Sequence, residues 1–187
     1  MTPLTVVYDA CVLFPAALRD LLMRLTVAGL CRARWTDEIL DEAFESLKAA
    51  RPDLDPARLA RTRGRMCEAV RDGLVTGHSD LVESLELPDP EDRHVLAAAI
   101  RCGAQAIITD NVKDFPEAAL RPYGIQVLSP DELVLELIET APDRVVEVVR
   151  LQAVALKNPP TTLEALLAKL TRQGLARSVL VLKELSQ

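Results

Sequence analysis

The sequence predicts an α/β protein: a three-layer α/β/α sandwich on a mainly parallel central sheet, followed by C-terminal helices. Three observations predict it. Four short runs, Leu4–Tyr8, Cys31–Trp35, Ala106–Thr109 and Ile125–Leu128, read as strands. Longer amphipathic segments with recognisable starts alternate with them. After Ser129 only helical patterns remain.

Each element has its own warrant. Leu4-Thr5-Val6-Val7-Tyr8 is β-branched, too short for a helix, and ends at Asp9, as a buried strand would. Pro15 opens the next helix, with Leu18, Leu21, Leu22 and Leu25 on one face, and Gly29 ends it. Thr36 caps a helix from Asp37 to about Ala50, whose apolar face is Ile39, Leu40, Ala43, Phe44 and Leu47. Arg51-Pro52-Asp53 breaks it, Asp55-Pro56 starts another through about Val70, and Gly73 and Gly77 mark a looser connector. Asp89-Pro90-Glu91-Asp92 opens the helix that ends at Gly103, with acids in its first turn to favour the helix dipole. Ser129-Pro130-Asp131-Glu132 is a capping box. Beyond it Pro142, the Asn158-Pro159-Pro160 break and Gly174 divide the tail into about four helices.

At 187 residues, with 49% hydrophobic and 27% charged content, the chain fits one soluble globular domain with a helical appendage. The apolar run at Leu21–Leu30 is interrupted by Arg24, so no membrane span is expected, and no export signal opens the chain. A cytoplasmic protein is expected. Cys11, Cys31, Cys67 and Cys102 form no C-x-x-C pair and read as reduced, mostly buried thiols. The net charge of −6 argues against a nonspecific DNA coat but not against a nucleic-acid substrate at a metal-filled pocket.

The acidic residues carry the chemistry. Asp9 and Thr109-Asp110-Asn111 directly follow strands, and ligands in open α/β sheets bind beyond the carboxyl ends of strands. If those strands are neighbours, both groups reach one metal ion. Asp92 has a competing role beside the Asp89 cap, and Asp110, Asn111 and Asp114 are also good turn formers. Spacing does not choose between Asp110 and Asp114, nor does it single out Glu42 among Asp37, Glu38, Asp41 and Glu45. Thr109 is placed to bond Asp9 or a phosphate. Clustered carboxylates repel one another, so at least one should hold its proton more tightly without metal. With no Cys or His expected to converge on them, the acids suit Mg²⁺ or Mn²⁺ rather than zinc.

Four segments, in order, resemble the PIN domain, the metal-dependent ribonuclease fold of VapC-type toxins. They are Val7-Tyr8-Asp9-Ala10-Cys11-Val12-Leu13, Thr36–Glu42, Asp89–Ala99 and the T-x-N-x-x-D-F stretch Thr109–Phe115. The resemblance spans about residues 4–129, leaving 130–187 as an extension, with an added helical hairpin around Asp55–Val70. It implies Asp9, Glu42, Asp92 and Asp114 as catalytic and metal-binding residues, and it favours Asn111 and Asp114 over Asp110. It also implies Mg²⁺ or Mn²⁺, hydrolysis of an RNA phosphodiester, and an antitoxin protein as partner. In that scheme Asp9 bridges or anchors the metals, Asp92 and Asp114 complete their coordination, and Glu42 binds or orients the attacking water.

Lesser features round out the expectations. Arg58, Arg61 and Arg65 share one face of their helix and form either a solvated basic face or a phosphate-tracking patch for RNA. His94, two residues beyond Asp92, points elsewhere on its helix and reads as packed or solvent-facing; His78 carries no signal. Trp35 and Phe44 read as core aromatics. The tail positions Leu133, Leu137, Val145, Val148, Leu163, Leu166 and Leu170 either pack on the core or form a groove for a homodimer or an antitoxin. Two other functions compete: a noncatalytic PIN scaffold binding RNA or a protein, and a phosphotransfer protein using Asp9. The latter lacks the D-x-D phosphatase pattern, because position 11 is Cys.

Overall fold

A computed structural model describes residues 2–157 and 159–186, so Asn158 of the expected Asn158-Pro159-Pro160 break lies outside the described residues. Strands β1 (Leu4–Tyr8), β2 (Cys31–Arg34), β3 (Ala106–Ile108) and β4 (Gln126–Leu128) form one sheet in the order β2-β1-β3-β4, and every pairing is parallel. The fold class is the expected α/β sandwich.

Eleven α-helices are described: α1 (Ala10–Leu13), α2 (Ala16–Val27), α3 (Asp37–Ala50), α4 (Pro56–Ala69), α5 (Ser79–Val82) and α6 (Arg93–Cys102) precede β3. Then come α7 (Glu117–Leu120), α8 (Pro130–Thr140), α9 (Pro142–Ala155), α10 (Leu163–Arg172) and α11 (Ala176–Leu185). The connection from β1 to β2 runs one way across the sheet, and the connection from β2 to β3 runs back. Right-handed crossovers therefore put α2 and α6 on opposite faces. The reversal also makes the β1/β3 boundary the topological switch point, where a crevice opens beyond the strand ends.

Local chemistry explains the boundaries that matter. Thr36 caps α3 by accepting from the Ile39 N–H (3.1 Å), and the apolar face expected for this helix is buried. Gly103 closes α6 in the left-handed region, at φ 64°. Trp35 is fully buried against Gly73, where an added Cβ would come within 2.8 Å of the indole. Only glycine fits that approach.

The C-terminal helices are not a loose appendage. Leu133, Leu137, Val145, Val148, Leu166 and Leu170 are buried, in one hydrophobic core continuous with the sheet layer, and Leu163 packs partly against it. Buried Gln152 donates to the Ala17 carbonyl (2.9 Å), and Gln173 accepts from the Leu18 N–H (2.8 Å), so α9 and the end of α10 grip α2. Six of the seven tail positions therefore pack inward, which leaves no groove made from those residues. No helix among the described residues is long and apolar enough to cross a membrane.

Candidate metal centre

The site grows from the end of β1. The Asp9 N–H donates to the Ile108 carbonyl (3.1 Å), so the first acid is tied to the neighbouring strand. Its carboxylate caps α1: Oδ1 accepts from the Ala10 N–H at 2.6 Å. Oδ2 accepts from the Thr109 hydroxyl (2.6 Å) and the Cys11 thiol (3.2 Å). Asp9 is only 4% exposed, and its three donors are all neutral. Its orientation is fixed while its charge is left uncompensated.

The β3 end is built around the same oxygen. Thr109 is fully buried, and its hydroxyl also accepts from the Asn111 N–H (3.0 Å). The Cys11 sulfur accepts from the Asp110 N–H (3.3 Å). Burial, then the Asp9 charge, pushes the Cys11 thiol up to about 12, so it stays protonated and donates. Of the two roles expected for Thr109, bonding to Asp9 is the one observed.

Asp92 arrives on the opposite wall. Asp89 accepts from the Glu91 N–H (2.9 Å) and caps the 3-10 turn Pro90–Asp92, while the Asp92 side chain makes no capping hydrogen bond at the start of α6. Asp89 is the cap as expected, and the bond back to it that competed for Asp92 is not made. Burial, followed by the charges of Asp9, Asp89 and Asp114, raises the Asp92 carboxyl to about 6, against a smaller opposing effect of His94. The anticipated repulsion among the acids is present and centres on Asp92.

These groups line a cleft of about 460 Å³ with Asp9, Cys11, Glu42, Asp89, Asp92 and Asn111 in its wall. Asp114 sits in the 3-10 turn Val112–Asp114, backed by fully buried Phe115. It is not a wall residue, but its charge reaches Asp92. Asp110 is outside the wall too; burial and then Asp9 raise its carboxyl.

Comparison with known proteins agrees with this fold. A PIN domain family model matches residues 5–113. The chain belongs to the PIN domain family. A model of the VapC50 C-terminal domain matches residues 130–184. A Mycobacterium tuberculosis (strain ATCC 25618 / H37Rv) protein named "Putative ribonuclease VapC50" is 38% identical over 97 residues. That match covers 52% of this chain and 57% of the relative's length. No solved structure matches the chain significantly.

Within this PIN domain two expectations need correction. A histidine does converge on the acids: His94 is 4% exposed, its Nε2 lies 3.0 Å from Glu42 Oε1 and its Nδ1 3.6 Å from Glu38 Oε2. It is packed, as expected, but it faces the acidic wall rather than turning elsewhere. The Glu42 contact is close in distance without hydrogen-bond alignment, and it becomes an ion pair when the imidazole is protonated. Burial lowers the proton affinity of His94, but Glu42, then Glu38 and Asp9, outweigh it and the net shift is upward. His78 also has a place, with Nε2 3.7 Å from the same Glu38 oxygen. The i,i+4 spacing of Glu38 and Glu42 was the available signal, since it puts both on one helix face.

The basic face lies apart from the cleft. Arg58, Arg61 and Arg65 do not line the cleft, and Arg61 lies 3.6 Å from Asp55 on its own helix. Arg63 is the residue that ties α4 to α3, through Asp37 and Asp41. The second correction is that the four cysteines are free thiols, but only Cys31 is fully buried; Cys11 opens onto the cleft.

Proposed function

We propose that the chain is a divalent-metal-dependent endoribonuclease that hydrolyses RNA phosphodiester bonds, acting as the toxin of a toxin–antitoxin pair. The observation that carries this reading is the uncompensated charge at the β1/β3 switch point. Asp9 is fixed by neutral donors alone, and Asp92 is held up to about 6 by burial and the surrounding carboxylates. Such a site becomes stable when a cation enters it. The donor set fits a hard ion, because the oxygens of Asp9, Asp92 and Asp114 come from three separate elements and each carboxylate keeps lone pairs free. PIN membership and the similarity to the M. tuberculosis relative support the nuclease assignment.

Mg²⁺ or Mn²⁺ bound there supplies charge neutralisation for a phosphate and acidifies water. Asp9, Asp92 and Asp114 hold the ion. Glu42, on the facing helix, orients the attacking water and accepts its proton. Thr109 and Cys11 keep Asp9 in one rotamer, and Asn111 offers an amide to the phosphate. Arg58, Arg61 and Arg65, outside the cleft, contact phosphates further along the RNA. The proposed nuclease unit is residues 4–129, and residues 130–187 extend it.

Replacing Asp9 by Asn keeps the shape and removes the charge. The variant should fold, lose the thermal stabilisation by Mn²⁺ and cease to cleave RNA. Mg²⁺- or Mn²⁺-dependent cleavage retained by purified Asp9→Asn ends the proposal. If the native chain is stabilised by Mn²⁺ yet cuts no RNA, a binding scaffold replaces the enzyme.

A further inference from the structure

The nuclease reading leaves one buried polar side chain at the cleft without a role. His94 is the second residue of α6, two residues beyond Asp92, and its ring is wedged between two glutamates of α3. Its Nε2 lies 3.0 Å from Glu42 Oε1, and its Nδ1 lies 3.6 Å from Glu38 Oε2. Glu42 itself is an exposed side chain on a helix, and among the described residues nothing hydrogen-bonds its carboxylate. A free glutamate spreads over many rotamers, and confining it costs side-chain entropy. His94 is the contact that confines it.

We infer that His94 is a positioning residue that holds the Glu42 carboxylate toward Asp9 and Asp92. Glu38, on the far nitrogen, fixes which way the imidazole faces. This rests on the nuclease reading, in which Glu42 orients the water. The arrangement follows the logic by which outer partners orient a carboxylate or imidazole that does chemistry. The ring suits the task because it is rigid, has a nitrogen on each side, and is carried by the helix that also carries Asp92. Both walls of the cleft are thereby set in register through one side chain.

The test compares the full-length chain with His94→Leu, His94→Gln and Glu38→Gln. Three properties are read: the ¹³C resonance of the Glu42 carboxyl, assigned with Glu42→Gln; steady-state RNA cleavage in Mn²⁺; and thermal stability. His94→Leu should move the Glu42 resonance toward that of a solvated glutamate. It should also lower kcat about 10- to 100-fold, the usual effect of losing an outer partner, with KM for RNA changed less than about twofold. His94→Gln, which keeps a donor, should recover most of kcat, and Glu38→Gln should lower kcat less than His94→Leu does.

An unchanged Glu42 resonance and kcat in His94→Leu overturns the inference. So does a loss of kcat in step with stability that Gln does not relieve. The donor atoms of Glu38, Glu42 and His94 also lie within 4.8 Å of one another, as transition-metal ligands would. A Co²⁺ absorption band that disappears in His94→Leu therefore overturns the positioning role in favour of a metal ligand. If the native chain cuts no RNA, the nuclease reading fails, while the Glu42 resonance still decides whether His94 places that carboxylate.

Discussion

Asp92 and Asp131 occupy similar local positions, each in the first turn of a helix, yet their proton affinities move in opposite directions. Asp131 is 7% exposed and accepts from the Ser178 N–H (2.9 Å), the Ser178 hydroxyl (2.6 Å), the Arg177 N–H (3.2 Å) and Arg177 Nε (3.0 Å). Burial alone would raise its carboxyl, but these bonds outweigh burial and hold it below the ordinary range. Asp92 has no such donors and faces other carboxylates, so it rises to about 6. A charge that the fold satisfies with its own donors is there for stability, here pinning α11 to α8. A charge left facing its own kind stores a cost that only an added partner relieves.

The largest expected effect separates these two roles. Asp92→Asn should reduce metal-dependent cleavage by about 10³-fold, or roughly 4 kcal/mol of transition-state stabilisation. The metal-free chain should melt no lower than the native one. Asp131→Ala should do the reverse: it leaves the Ser178 N–H unpaired, at about 1–3 kcal/mol for a buried donor, and removes the carboxylate from Arg177 and from the Ser178 hydroxyl, which keeps only the residue 131 carbonyl. Folding stability should therefore drop by about 3 kcal/mol in urea titrations, while cleavage well below the melting temperature stays within about threefold. If Asp92→Asn destabilises the metal-free chain as much as Asp131→Ala does, the contrast between the two aspartates is wrong.

What the sequence conveys about each region follows from how local its causes are. The four strands were legible because short apolar runs have few alternatives, and the helix starts because Thr36, Asp89 and Ser129 bond N–H groups two or three residues away. Asp9 and Thr109 were legible as strand-end residues, and the β1–β3 pairing then brought them together. Asp92 was ambiguous from sequence, since an acid three residues past the Asp89 cap can bond back to it; in the structure its side chain makes no capping bond. The His94–Glu42 pair was hidden. It joins helices far apart in the chain, and a histidine's burial is set by tertiary packing. The grip of Gln152 and Gln173 on α2 was hidden for the same reason, so the sequence left open whether the tail packs on the core or forms a groove.

A pH series sharpens the comparison with a smaller effect. An unfolded aspartate titrates near about 3.9. Asp92 titrates above that in the folded chain, at about 6, so its charged form opposes folding. The metal-free chain should gain stability from Asp92 as pH falls from about 7 through 6, and Asp92→Asn should lose that part of the slope. Asp131, depressed on folding, contributes fully above about 4 and loses its contribution only as pH falls through its lower folded value. Mn²⁺ affinity should weaken below about pH 6, because the proton competes for Asp92. Calorimetry across pH 5–8 reads this directly; affinity independent of pH would remove Asp92 from the ion's ligands.

The smallest effect lies outside both regions, on α4. Arg58, Arg61 and Arg65 are solvent-facing and away from the cleft wall, so neutralising all three should leave folding within the ±0.5 kcal/mol usual for surface changes. Cleavage of an RNA just long enough to fill the cleft should also be unchanged. On longer RNA each phosphate contact contributes about 0.7 to the slope of log affinity against log salt, so the triple variant should flatten that slope by up to about 2. The comparison of short and long RNA is the informative part, because it separates contacts with the reacting phosphate from contacts beyond it. A slope unchanged on long RNA makes this face a solvated one with no part in binding. A kcat loss on short RNA instead places it nearer the reacting phosphate than the structure does, and the division of labour between α3 and α4 would then need redrawing.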